Sequence, residues 1–183
     1  MRELALHVLD LLQNALEAGA THITLTITED LAGDRMTIRV GDNGRGMSPD
    51  LVARVLDPFV TTRETRHVGL GLPLLAAAAE RAGGHVEVES ELGRGTTVTA
   101  TFRLRHWDRA PLGDMPSTLM AVLLSGRAVD LVYEHTVDGR TFRLDTAEVR
   151  RELAGVPLAH PSVRTWLQEY VAEGISGLQR PID

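Results

Sequence analysis

Asp10 and Asn14 lie in a segment whose apolar residues recur at helical spacing, so their side chains share one helix face, one turn apart. A carboxylate in that position can orient and deprotonate a water. An amide oxygen one turn on can ligate Mg2+ without adding negative charge beside a polyphosphate. The same pair also fits the plain solvent face of an amphipathic helix. Further along, Gly41-Asp-Asn-Gly-Arg-Gly-Met47 directly follows a strand pattern. An aspartate at a strand end can accept a hydrogen bond from the exocyclic amino group of adenine, and glycines beside it let the backbone approach a flat base. Read alone, the segment is equally an ordinary glycine-rich turn.

Two more segments carry chemistry. Asp57-Pro-Phe-Val-Thr-Thr-Arg63 is followed by Gly69-Leu-Gly-Leu72 at the start of a helical pattern. Backbone N–H groups at a helix N-terminus suit phosphates, and the polar stretch between the two boxes reads as a lid. Arg63 and Arg66 are candidates there for the terminal phosphate, or else plain loop charges. In Gly93-Arg-Gly-Thr-Thr97 a threonine at a strand start, Thr97, can hydrogen-bond toward the adenine edge, although the segment also fits a simple hairpin turn.

The elements that must position these residues are legible from periodicity. Residues 3–18 read as a helix with Leu4, Val8, Leu11, Leu12 and Ala15 on its buried face. His7, Asp10 and Asn14 fall on the opposing polar stripe, where His7 is expected at a pocket rim or exposed. Ile23, Leu25 and Ile27, then Met36, Ile38 and Val40, alternate as strands with one covered face. A short helix starts at Ser48-Pro49, and an alanine-rich helix runs from Leu70 to about Ala82, stopped by Gly83-Gly84. Val86 and Val88, then Val98 to Leu104, give two further strands.

After a linker through Trp107 the pattern gives a helix over 115–124 and a hairpin turning at Asp138-Gly139. Two closing helices follow, the first capped near Asp145 and the second starting after Pro161. Helices interleaved with a one-faced sheet make a two-layer α/β sandwich.

Composition bounds the partners. The chain has 183 residues, 43% hydrophobic and 24% charged, the profile of an ordinary globular protein. Its net charge of −6 argues against a nucleic-acid role driven by overall charge. No apolar run reaches the length of a membrane span and Met1-Arg2-Glu3 opens into the first helix, so neither membrane association nor a signal peptide is expected, and the cytoplasm is the expected location. Cysteine is absent, which excludes disulfides and thiolate metal sites. Lysine is absent too, so all 19 basic residues other than histidine are arginines and any phosphate-binding cation is a guanidinium.

Taken together and in order, the boxes resemble the GHKL (histidine-kinase-like, Bergerat-fold) ATPase superfamily. The segment Asp10 to Thr21 looks like the first box of its mismatch-repair and heat-shock-chaperone branch. Asp57 to Leu104 looks more like the catalytic domain of sensor histidine kinases, particularly Gly83-Gly84-His-Val-Glu-Val-Glu-Ser90. The resemblance implies ATP and Mg2+ as cofactors, with Asn14 holding the metal against the triphosphate and Asp42 reading adenine. Gly44, Gly46, Met47 and Thr97 would surround the base, while the lid residues with Gly69, Leu70, Gly71 and Leu72 would embrace the phosphates.

The hydrolytic branches carry Glu where this chain has Asp10, and one missing methylene retracts the carboxylate by roughly 1.5 Å. Glu17 stands where sensor kinases commonly carry lysine, and His67-Val68 replaces the usual Gly-Thr.

The expected fold class is therefore α/β, a mixed sheet covered on one face by helices. Residues 1–104 form the ATP-binding domain and 105–183 a small C-terminal αβ extension. With Asp10 as the candidate catalytic base, three functions are open: a kinase-type phosphotransferase in signal transduction acting on a separate protein partner, a slowly hydrolysing switch, and a non-catalytic nucleotide sensor. A sensor kinase carries its acceptor histidine on a helical hairpin before the ATP domain; with that domain read from about residue 3, no such hairpin is expected, and no histidine here has the flanking pattern of an acceptor. A homodimer stays open.

Overall fold

Strict alternation builds the sheet. The computed structural model describes residues 2–57 and 71–178. In β1 (His22–Asp30) Ile23, Leu25 and Ile27 are fully buried, while Thr24 and Thr26 between them face the other way and keep partial exposure. The same alternation runs through β2 (Arg35–Asp42), with Met36, Ile38 and Val40 inside, and β4 (Gly95–Arg103), with Val98, Ala100 and Phe102 inside. Together with β3 (Val86–Glu91), β5 (Asp130–Val137) and β6 (Arg140–Asp145) these form one six-stranded sheet of order β3-β4-β2-β1-β5-β6. Every pair is antiparallel except β1 with β5, so the sheet is mixed and the class α/β, as the sequence led us to expect.

One face carries the helices α1 (Leu4–Glu17), α3 (Gly71–Arg81), α4 (Met115–Leu123) and α6 (Pro161–Leu178). α1 lies at the centre and packs on α3 and α4, and α4 packs in turn on α6. The short helices are α2 (Pro49–Val52), capped by the Ser48 hydroxyl, and α5 (Thr146–Glu152), capped by Asp145 accepting from Ala147 N at 2.9 Å. Among the described residues no helix is long and apolar enough to cross a membrane.

Residues on both sides of position 104 share this sheet and a single hydrophobic core. Leu131, Tyr133 and His135 of β5 lie in register with Ile23, Leu25 and Ile27 of β1, on the helix-covered face. The polar groups placed there satisfy one another. The Tyr133 hydroxyl lies 3.0 Å from His135 Nδ1, and His135 Nε2 lies 2.8 Å from Glu29 Oε1. Burial, with the nearby Glu29 carboxylate, pushes the Tyr133 phenol well above its ordinary range.

His7 does not follow the polar stripe. The residue is 4% exposed, and its Nδ1 has no hydrogen-bond partner among the described residues. Burial, reinforced by the positive N-terminus and Arg81, lowers its pKa from 6.5 to about 4. The folded state therefore binds the proton less readily than the unfolded state. This contribution to stability is complete above pH 6.5 and is lost as pH falls from 6.5 toward 4. The shift corresponds to on the order of 3 kcal/mol. Urea midpoints at pH 7.5 and 4.5 should show this acid-dependent loss in the wild type and a clearly smaller one in His7→Leu. Equal losses in the two proteins would contradict a neutral buried His7.

Candidate nucleotide-binding site

Asp42 ends β2, and its parity with Val40 aims its side chain at the helix-covered face. The carboxylate is half-buried. Its Oδ1 accepts from Gly44 N at 2.7 Å. Burial pushes its pKa up, and the N–H groups of Gly44 and Thr96 oppose that rise by stabilising the charged form.

The loop after Asp42 is tied down on several sides. Asn43 Oδ1 accepts from both Thr21 N and His22 N at 2.9 Å, and its amide donates to Thr21 Oγ1 at 3.0 Å. Asn43 is thus a bracket between the loop and the start of β1. Arg45 N donates to Ala18 O at 2.9 Å, which fastens the loop to the end of α1, and Gly93 N donates to Arg45 O at 2.8 Å. Met47 N donates to the Ser90 hydroxyl at 2.8 Å. That hydroxyl donates to Gly95 O at 2.9 Å, which leaves Thr96 as the donor in its 2.9 Å contact with Ser90. The Thr96 oxygen then keeps lone pairs for a further partner.

Two glycines are sterically required. Gly46 has φ 65°, and a Cβ there would lie 1.9 Å from Glu91 O. Gly95 has φ 109°, and its Cβ would lie 1.9 Å from Asp42 O. No side chain fits either position without moving backbone.

At the other end, Asp10 and Asn14 are both half-buried on α1. Gly71 opens α3 directly beside the Asp10 carboxylate, since a Cβ on Gly71 would come 3.4 Å from Asp10 Oδ2. Leu72 follows on α3, packed against the core. Asn14 lies one turn before Ala18, whose carbonyl holds Arg45, so α1 and the loop are fixed relative to each other.

The structure therefore sets Gly71 beside Asp10 on α1, and ties the loop that carries Asp42, Gly44, Gly46 and Met47 to the end of α1, one turn beyond Asn14. It does not bring Thr97 to them. Thr97 pairs with Gly41 and its side chain lies on the opposite face from Asp42, whereas Thr96 is the partner of Asp42. A one-residue difference in register reverses the face. The signal for Thr96 was available: counting by twos from the buried Val98 puts residue 96 inside. Arg63, Arg66, Gly69 and Leu70 lie outside the described residues. Among the described residues no group of three or more His, Asp or Glu side chains is arranged to hold a metal.

Residues 2–106 match the family described as histidine kinase-, DNA gyrase B- and HSP90-like ATPase. The chain belongs to this family. It carries an ATP-binding, kinase-like domain of the GHKL type. Sporulation kinase D of Bacillus subtilis is 36% identical over 95 residues, covering 52% of this chain and 19% of that protein. Sensor histidine kinase ZraS of Escherichia coli is 33% identical over 106 residues, 58% of this chain and 23% of the kinase. Sensor protein BceS of Bacillus subtilis is 35% identical over 107 residues, 56% of this chain and 32% of that protein. The similarity thus spans about a fifth to a third of these relatives' length. Among solved structures, the N-terminal domain of a DNA repair protein shares the fold with TM-score 0.56 at 15% identity, covering 79% of this chain and 53% of that one.

Proposed function

We propose that this GHKL protein binds Mg–ATP with adenine against Asp42 and the phosphates between Asn14 and the N-terminus of α3. It would hand the result to a separate protein, as a phosphoryl group or as a change in affinity. The observation that supports this most is Asp42 itself, a half-buried carboxylate held by backbone N–H groups on a loop anchored at both sides. Gly44 N occupies Oδ1, and the carboxylate retains acceptor capacity for the amino group that distinguishes adenine from guanine. At the phosphate end, the lack of a side chain at Gly71 keeps open the space beside Asp10. In this reading Thr96 takes the role first given to Thr97, because it shares a face with Asp42.

Mg2+ is commonly held by one or two protein groups together with substrate phosphates, and Asn14 is the residue we assign to it. The bound metal–nucleotide supplies a transferable phosphoryl group. Asp10 would act on the attacking nucleophile, and its short side chain favours, as a second reading, a slow switch over an efficient hydrolase. Residues 105–183 serve here as a structural extension, adding β5 and β6 to the edge at β1. A ligand of this kind suits a cytoplasmic setting.

Asn14→Ala separates the two ends of the site. It should leave adenosine binding within about twofold of wild type and remove the Mg2+-dependent part of ATP affinity, since one metal–oxygen contact disappears. Calorimetric titrations with and without Mg2+ measure this. An equal Mg2+ effect in wild type and variant would overturn the assignment of Asn14.

A further inference from the structure

Gly41 is the residue before Asp42, yet it belongs to the face of the sheet opposite α1, α3, α4 and α6. Its neighbours across the strands are Thr24 on β1 and Thr97 on β4. Glycine weakens a strand, and within one it often marks a bulge, a tight bend or the close approach of a ligand or another backbone. The pairing of β2 is continuous on both sides, so there is no bulge. Gly41 is not among the residues with positive φ, so its backbone does not need glycine. A Cβ there would meet only Thr97 Oγ1, at 3.5 Å, an ordinary contact. Neither conformation nor packing accounts for this glycine. What its missing side chain leaves is space.

That space is a cavity of about 300 Å³ whose walls include His22, Thr24, Thr26, Arg39 and Thr97. Asn43 also borders it, with its side-chain oxygen committed to Thr21 and His22, and Asp42 borders it while its carboxylate points to the other face. Arg39 is flanked in the sheet by uncharged Thr26 and Thr99, while Glu134 and Glu87, one strand further out on either side, pair with Arg143 and His85 and Glu89 stands opposite Thr97. Among the described residues Arg39 has no ion-pair partner. A guanidinium held in no ion pair, beside threonine hydroxyls and an imidazole, suits an anionic ligand.

We propose that the open-face cavity over Gly41 binds a small oxyanion, the phosphate or carboxylate group of a small molecule. Arg39 supplies the charge and Thr24, Thr26 and Thr97 supply hydroxyl donors. This site lies back to back with the nucleotide pocket and does not depend on the reading of that pocket.

The test is an amide NMR titration of the whole chain at constant ionic strength, with inorganic phosphate in one arm and malonate in the other. The expected result is saturable shifts at Thr24, Gly41 and Thr97, weakened about tenfold or more in Arg39→Gln by loss of the charge-assisted contact. Gly41→Ala, whose Cβ the fold accommodates, should weaken them comparably while the rest of its spectrum stays unchanged. The anion that saturates at lower concentration identifies the source. Anion filling of the nucleotide pocket would instead shift residues around Asn14 and Gly71 and persist in both variants. Shifts that never saturate at Gly41, or that are equal in all three proteins, would overturn the proposal.

Discussion

Asp10→Asn is expected to lower steady-state phosphate release by about 100-fold or more, to background from an already slow wild-type rate, while ATP affinity stays within about twofold. General-base contributions are typically ~100–10,000-fold, and an amide cannot accept the proton. Asp10 sits half-buried beside Gly71, where the phosphates would enter. It cannot advance by moving its helix, because Leu11, Leu12 and Ala15 are locked in the core behind it. Its carboxylate is therefore short by one methylene, about 1.5 Å, relative to a glutamate on the same frame. Asp10→Glu should raise hydrolysis by restoring that reach. Terminally labelled ATP reports both rate and destination: free phosphate is expected, with no stable label on the protein itself. Should Asp10→Asn release phosphate as fast as wild type, Asp10 is only a polar residue of α1, and the switch and sensor readings gain at the enzyme's expense.

Much of the fold was legible because its signals are local. The turn at Asp138-Gly139 has both residues at positive φ, 47° and 81°, as the Asp-Gly pair implies for a tight hairpin. Asp145 caps α5 as expected, accepting from Ala147 N and Glu148 N, while the Glu148 carboxylate pairs with Arg143 Nη1 at 3.2 Å. What was not legible depends on long-range pairing. Nothing in residues 130–137 announces that they will lie parallel to β1, because alternation specifies a covered face and not a neighbour.

The misplacement of His7 has a related cause. A helical stripe says which residues share a side, but the tertiary packing of α1, which meets both α3 and α4, decides which of them are covered. Asn43 has no role that its segment's sequence assigns, because its three bonds to Thr21 and His22 span more than twenty residues. The resemblance points to Thr97, whereas strand parity puts Thr96 on the face of Asp42.

Asp42→Asn is expected to cost on the order of 1.5–3 kcal/mol in ATP affinity, about 10- to 150-fold. The geometry explains the size. Gly44 N holds one side-chain oxygen at 2.7 Å, and asparagine would keep its single oxygen there. Its NH2 group then replaces the second carboxylate oxygen, so a donor faces the donor amino group of adenine. That substitution also removes the bias against a base with a carbonyl at the same position. The most direct measurement is calorimetric titration of wild type and Asp42→Asn with ATP and with GTP at saturating Mg2+. ATP binding in the wild type, a drop of at least about tenfold in the variant and a narrowed ATP-to-GTP ratio are the predicted result. Unchanged ATP affinity in a folded Asp42→Asn protein would contradict the account at its centre.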